Sequence, residues 1–287
     1  MDNCSFFIKN NALFGGYPTQ ENVDELEKNG VRYFVNLTEK NEPKINPYKT
    51  QYEYIEYPIK DNNIPTDLTS FACFLIKISH IIKDLKNNII FIHCRGGHSR
   101  SALVVACLLC HIFGLTPYES LEYTTKCHSK RKVMRERWRK VSAPQSFIQK
   151  KFVYKFFQPL KFYNKNNTFI HEFSNSYSCS IITDLGTFFS VNTAYDFHIK
   201  HFCTNNKINE DELDDKNKIK IMTHILKFKF DQNVNIYKNL INTSLRPLIN
   251  HLKDDSFWGD GINENGKNFL GKILIKLRNK YYEELKY

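Results

Sequence analysis

Glycine and proline are scarce in this chain, at 11 and 9 of 287 residues. That scarcity excludes a collagen-like repeat and a disordered chain driven by those two residues. Long apolar runs are missing as well. The longest uncharged stretch lies between Arg100 and Glu119, and its apolar part, Ala102 to Phe113, is shorter than the ~20 residues of a membrane helix. The opening MDNCSFFIKNN has neither the basic start nor the apolar run of a secretory signal. The expectation is a soluble intracellular protein, in the cytoplasm. Cysteine pairs at zinc spacing are lacking. Cys107 and Cys110 form one C-x-x-C inside SALVVACLLCHIF with no second pair, which reads as core packing. The eight cysteines sit mostly inside apolar runs, as reduced core thiols do.

What is present suffices for packed cores: 41% hydrophobic and 14% aromatic residues beside 25% charged. The length fits two domains or one large one. The net charge of +11 is unevenly spread. Lys126 to Lys140 holds eight basic residues (Lys126, Lys130, Arg131, Lys132, Arg135, Arg137, Arg139 and Lys140) against Glu136 alone. Two readings stay open for that run: a solvated helix face, or a landing strip for a phosphate-rich partner such as RNA or anionic lipid.

The first half alternates strand-like runs (Val31–Leu37, Tyr52–Ile59, Ile89–His93) with helical spacing over Leu68–Leu85 and an apolar helix from Ser101. This order predicts an α/β fold, a central mixed sheet flanked by helices. The pattern lapses around Pro159 to Asn167, which reads as a linker over 159–167 between domains at 1–158 and 168–287. The second half is patterned as mostly α within an α+β domain. Helices are expected over Lys218–Phe230 and over Leu270–Tyr281, where Leu270, Ile273, Leu274, Leu277 and Tyr281 make one apolar stripe. Asn205–Lys218 reads as an exposed charged loop.

The most informative segment is His93-Cys94-Arg95-Gly96-Gly97-His98-Ser99-Arg100-Ser101. A cysteine at the end of an apolar strand is followed by a five-residue loop and an arginine that opens a helix. Such a loop turns backbone N–H groups inward, an anion nest at a helix N-terminus. The same dipole favours thiolate at Cys94. Gly96 and Gly97 permit the tight turn, and Arg100 offers a fork to two oxygens of a tetrahedral anion. A nucleophile inside a cradle for a dianion is a phosphoryl-transfer site.

This segment resembles the HCxxGxxR[S/T] signature of the cysteine-dependent dual-specificity and tyrosine phosphatases. The resemblance spans about residues 8–157, including NALFGGYPTQENVDELEKNGVRYFVNLTE and SAPQSFIQKKFV. It implies that Cys94 attacks phosphorus, and that Arg100 with Arg95, Gly96, Gly97, His98 and Ser99 binds the phosphate. It further implies that Ser101 assists the departing thiolate and that His93 orients the loop. Neither metal nor organic cofactor is implied, because the cradle supplies the positive field. Family members carry a general-acid Asp on a loop some thirty residues before the cysteine. Asp61, at the end of a strand-like run and 33 residues before Cys94, is favoured over Asp67, which reads as a helix N-cap. Arg95 and His98 can both be cationic, which suits a phosphorylated protein, a small phosphate ester or a more highly charged ligand.

The second half resembles the NADAR family, an N-glycosidase-like domain, through DDSFWGDG (254–261), GKNFLG (266–271), KFKFDQ (227–232), LINT (240–243) and DLGTFFSVNTAY (184–195). The resemblance implies a nucleotide or ADP-ribose-like ligand near Trp258, Asp255, Asp260, Lys267 and Asn268. It also places the family's presumed catalytic glutamate at Asn192, and a second family glutamate at Asn250. A neutral amide cannot stabilise an oxocarbenium-like state as a carboxylate does. The expected protein is therefore a phosphatase fused to a NADAR-like domain of reduced or lost glycosidase activity. A bifunctional enzyme and a non-catalytic nucleotide- or RNA-binding protein are the alternatives.

Overall fold

A computed structural model describes residues 3–85, 87–162 and 171–285. It divides into two compact units that meet in sequence at Phe157 and Gln158. In the first unit, strands β1 (Cys4–Ile8) and β2 (Ala12–Gly15) precede helix α1 (Gln20–Lys28) and strands β3 (Val31–Asn36) and β4 (Glu53–Glu56). Helix α2 (Leu68–Asp84), strand β5 (Ile89–His93) and helices α3 (Arg100–Phe113), α4 (Pro117–Ser129), α5 (Glu136–Arg139) and α6 (Phe147–Phe156) complete it.

The five strands lie in the order β1-β2-β5-β3-β4. Strand β5 is central, with β2 and β3 parallel to it on either side; β4 is parallel to β3, and β1 is antiparallel to β2. A central parallel strand is covered on both faces, which is why all five residues of IIFIH are buried without polar alternation. On one face Leu13, Phe34, Ile89 and Phe91 pack with Val23 and Leu26 of α1. Strand alternation turns Ile90 and Ile92 to the other face, where α3 lies against β2 and β5. Helix α3 is buried from Arg100 to Cys110, so it is apolar all round except where it begins. Asp67 caps α2, its carboxylate accepting from the N–H groups of Thr69 (2.9 Å) and Ser70 (3.0 Å).

The second unit holds strands β6 (Leu160–Phe162), β7 (Ile181–Thr183) and β8 (Gly186–Phe188), helices α7 (Val191–Asn206), α8 (Asp215–Gln232) and α9 (Val234–Asn242), strand β9 (Leu248–Asn250) and helix α10 (Phe269–Glu284). Strands β6 and β9 pair in parallel, and β7 with β8 forms a hairpin. Of the segment expected as a linker, 160–162 is strand β6, and 163–167 lies outside the described residues. The stripe expected along α10 is the one it buries. The expected charged loop is shorter than its composition suggests, because α8 begins at Asp215 and Leu213 is buried with Ile199 and Cys203. Helix α10 crosses β9 closely: a Cβ at Gly271 would stand 2.1 Å from the Leu248 carbonyl oxygen. No helix among the described residues is long and apolar enough to cross a membrane.

Candidate active site

Residues 94–99 link the C-terminal end of β5 to the first turn of α3. Cys94 is 2% exposed at the base of this loop. Its Sγ accepts a hydrogen bond from the Gly97 N–H (3.2 Å) and lies 3.5 Å from Ser101 Oγ, in the first turn of the helix. Gly97 has φ +73°, and a Cβ there would fall 2.5 Å from the backbone of Gly15 and Gly16. Only glycine fits, because the loop is pressed against the end of β2. Cys94 N–H donates to Gly15 O (3.4 Å), and Tyr17 N–H to Arg95 O (3.1 Å).

Arg100 is 1% exposed, yet its charge is matched. Its two terminal nitrogens donate to the two carboxylate oxygens of Glu42 at 2.6 and 2.8 Å. Nη1 also donates to Ile59 O (3.0 Å), and Nη2 stands 3.1 Å from Asp61 Oδ1. Nε is a buried donor without a protein acceptor among the described residues. Burial works against the Glu42 carboxylate, but hydrogen bonds and charge from Arg100 outweigh it and hold Glu42 below the usual carboxyl range. Asp61 stands at the same edge, 2.6 Å from Arg95 Nη2, and Arg95 also lies 3.5 Å from Glu42. The residues named Cys94, Ser101, Arg100, Arg95 and Asp61 from sequence are thus brought together. Asp67 is occupied at the start of α2.

His93 is wholly buried and pushed down to about 3 by that burial, so it is neutral. Its Nε2 meets the Tyr48 hydroxyl at 2.7 Å, and its carbonyl accepts from Leu37 N–H. Ser99 is the N-cap residue of α3 but makes no side-chain cap bond. Gly96 is exposed on the loop's outer side. The expectation that His98 can be cationic is corrected here. Burial and then the neighbouring Arg131 push it down to about 4, so it is neutral near pH 7. It meets His128 across 2.8 Å and stacks on Trp138.

The basic run also differs from a single helix face. Helix α4 ends at Ser129, and only Glu136–Arg139 is helical again. Arg131 is 2% exposed and donates to Gly97 O (2.8 Å), Phe14 O (3.2 Å) and Ser5 Oγ (3.4 Å). Sequence reasoning missed Glu42, Arg131 and Tyr48 as parts of this site. Burial of an arginine favours an anionic partner, which is the one signal that points to an acid on the β3–β4 loop. Nothing in the run 126–140 sets Arg131 apart from its neighbours.

In the second unit, a cavity of about 260 Å³ is lined by Asn192, Asn250, Asp255 and Trp258 among others. Asp255 Oδ1 accepts from the N–H groups of Phe257 and Trp258, both at 2.8 Å. Asn250 donates to Trp258 O (3.2 Å). The other expected ligand residues sit elsewhere. Asp260 is buried against His251 (2.8 Å), and Lys267 reaches Asp215 (3.0 Å). Asn268 clamps β9 by accepting from Asn250 N–H and donating to Leu248 O.

The Glu42–Arg100 pair generates a stability prediction. Glu42→Ala strands a buried guanidinium and is expected to cost about 3–5 kcal/mol in denaturant unfolding. Because the folded carboxyl sits below its unfolded value of 4.5, the pair's contribution is complete above that pH. It is lost as pH falls through the folded value, so wild type should lose stability on acidification below about pH 5 and Glu42→Ala should lose less. Equal acid sensitivity in the two proteins would contradict the pairing.

The family described as dual specificity phosphatase, catalytic domain, matches residues 13–148, and the NADAR domain family matches 198–281. Putative tyrosine phosphatase 197R of Invertebrate iridescent virus 6 is 31% identical over 277 residues, covering 96% of this chain and 90% of the relative. N-glycosidase YbiA of Shigella boydii serotype 4 (strain Sb227) is 39% identical over 61 residues, which are 21% of this chain and 38% of that protein. The crystal structure of Tk-PTP in the active form is 21% identical, with a TM-score of 0.41, covering 53% of this chain and 97% of Tk-PTP. The chain therefore belongs to the same family as Putative tyrosine phosphatase 197R, with a dual specificity phosphatase catalytic domain followed by a NADAR domain.

Proposed function

We propose that this phosphatase hydrolyses phosphate monoesters, on a protein or a small molecule, through a phosphoryl group carried on Cys94. The observation that supports it most is the Cys94 sulfur held by the Gly97 N–H and Ser101 Oγ, one loop before a buried arginine at a helix start. In the first step Sγ forms a bond to phosphorus as the ester P–O bond breaks, and Asp61 delivers a proton to the departing oxygen. Arg100, through its unengaged Nε, and the loop amides meet the charge on the equatorial oxygens. In the second step water attacks phosphorus and gives its proton to the Asp61 carboxylate. The S–P bond breaks, Ser101 hydrogen-bonds the leaving thiolate, and inorganic phosphate departs. His93, fixed by Tyr48, holds the strand end from which the loop springs. The field at phosphorus comes from Arg100 and the backbone, so turnover persists in chelator.

The NADAR domain reads as a binder of a phosphorylated nucleoside or ADP-ribose-like ligand, with weak or absent cleavage. The supporting observation is its cavity. The two columns where the family carries glutamate are the amides Asn192 and Asn250, and the one carboxylate there, Asp255, is engaged by two backbone N–H groups. That leaves Asp255, with Oδ1 occupied, as the single carboxylate among the lining residues, where the family carries two glutamates to stabilise an oxocarbenium-like state.

Asp61→Asn is expected to lower kcat by about 10²–10⁴-fold on esters with poor leaving groups and far less on activated aryl phosphates, measured in steady state with chelator present. An equal loss on both ester types would contradict proton delivery by Asp61. For the second domain, Asn192→Glu is expected to create or raise cleavage of an N-ribosyl phosphate by about 10²–10⁴-fold over wild type, read by chromatography of the released base. A wild-type domain that already cleaves at the rate of the variant would overturn the reading of an impaired site.

A further inference from the structure

Charge is divided sharply across the phosphate loop. On one side stand Glu42 and Asp61, which engage Arg100 and Arg95. On the other side, a cavity of about 310 Å³ opens directly beside Gly96 and His98, and its lining holds Arg95, Arg131 and Arg135 with no acidic residue. That volume exceeds what one phosphate group needs.

Of the three arginines in the lining, Arg95 is paired with Asp61 and Glu42, whereas Arg131 and Arg135 have no carboxylate partner among the described residues. Arg131 lies behind the cavity, 2% exposed, and its three hydrogen bonds go to neutral oxygens of Gly97, Phe14 and Ser5. Burying a guanidinium without a carboxylate is costly, and an anion placed nearby recovers part of that cost. Arg135 is exposed at the mouth and has no carboxylate partner among the described residues. His98 forms part of the wall. Its Nδ1 faces His128 Nε2 at 2.8 Å, while His128 Nδ1 is buried without a partner. A bare acceptor is the cheaper atom to leave unpaired there, so His128 Nε2–H donates and His98 carries its own proton on Nε2, next to Gly96. Trp138 is covered by His98 on stacking and by the Arg137 guanidinium at 4.9 Å, so its ring braces the wall and is not a free platform for a base.

We propose that this cavity, walled by His98, Arg131 and Arg135 beside the phosphate loop, is a second phosphate site. The substrates it fits carry another phosphate next to the one removed, through an anhydride bond in a polyphosphate chain or an ester bond in a vicinal bisphosphate on a ring. The inference rests on the phosphatase reading of Cys94. It departs from a plain monoester enzyme in that Arg135 confers preference without touching the reacting phosphorus.

The test uses the full chain and para-nitrophenyl phosphate, which bears one phosphate, as the reference substrate. Competitive inhibition by inorganic phosphate and by inorganic tripolyphosphate is measured for wild type and Arg135→Ala. Tripolyphosphate is expected to inhibit wild type at a concentration at least tenfold lower than phosphate. Arg135→Ala should shrink that ratio about tenfold while its kcat/KM on the reference stays within about twofold of wild type. A second arm compares kcat/KM on a nucleoside 5′-triphosphate with its monophosphate, and on an inositol bisphosphate with its monophosphate. The pair that shows the larger wild-type preference, lost in Arg135→Ala, identifies a chain or a ring as the source. Wild-type ratios near one for the inhibitors and for both substrate pairs would overturn the second site, as would an Arg135→Ala protein with unchanged ratios. Failure of the underlying reading is separate: it appears as reference turnover that survives in Cys94→Ser.

Discussion

Arg100 is a permanent charge with 1% exposure, and much of the first domain follows from the need to match it. An unpaired guanidinium at that depth would cost several kcal/mol. Glu42 supplies two carboxylate oxygens in a fork-to-fork arrangement, so the arginine plane is fixed before any substrate arrives. The constraint reaches outward. To place Glu42, the β3–β4 connection must fold back over the C-terminal ends of the strands, and the same segment brings Tyr48 onto His93. Asp61, on the stretch that follows β4, is drawn to the same pair of guanidinium groups. Asp61, the phosphate loop and Cys94 are therefore held together by one electrostatic knot at the C-terminal ends of the parallel strands of a mixed sheet.

The two sides of the phosphate loop perform different work. The acidic side orients Arg100 and holds Asp61, the proposed proton donor. The basic side leaves Arg131 and Arg135 without carboxylate partners and keeps His98 neutral through burial. An arrangement of this kind attracts phosphate without placing a second titrating cation in the loop near neutral pH. In the NADAR domain the economy is reversed, because amides occupy the columns where carboxylates would be expected and the remaining aspartate is spent on two backbone N–H groups. That cavity keeps polar recognition and a single carboxylate, Asp255, whose Oδ1 is occupied.

Much of the site was legible in the sequence because it is local. IIFIH is a buried central strand by its composition. Cys94 to Ser101 lies within one loop and one helical turn, and the resemblance to a known signature adds roles to each position. Asp67 declared itself as a cap by preceding an apolar helix. Glu42 was not legible, since it lies 58 residues from its partner in an irregular segment whose composition resembles any polar loop. Arg131 was hidden for the opposite reason. It sits among seven other basic residues of the run 126–140, and only the tertiary position of Gly97 and Phe14 singles it out for burial. Lys267 and Asn268 illustrate a further limit: matched by resemblance as ligand residues, they are engaged with Asp215 and with the β9 backbone.

The most direct measurement is intact-protein mass spectrometry of enzyme quenched in acid during turnover, followed by peptide mapping. A phosphoryl adduct on the peptide carrying Cys94, absent from Cys94→Ser and insensitive to chelator, is the predicted result. Full turnover without an adduct at any quench time, or turnover retained in Cys94→Ser, would contradict phosphoryl transfer through that sulfur.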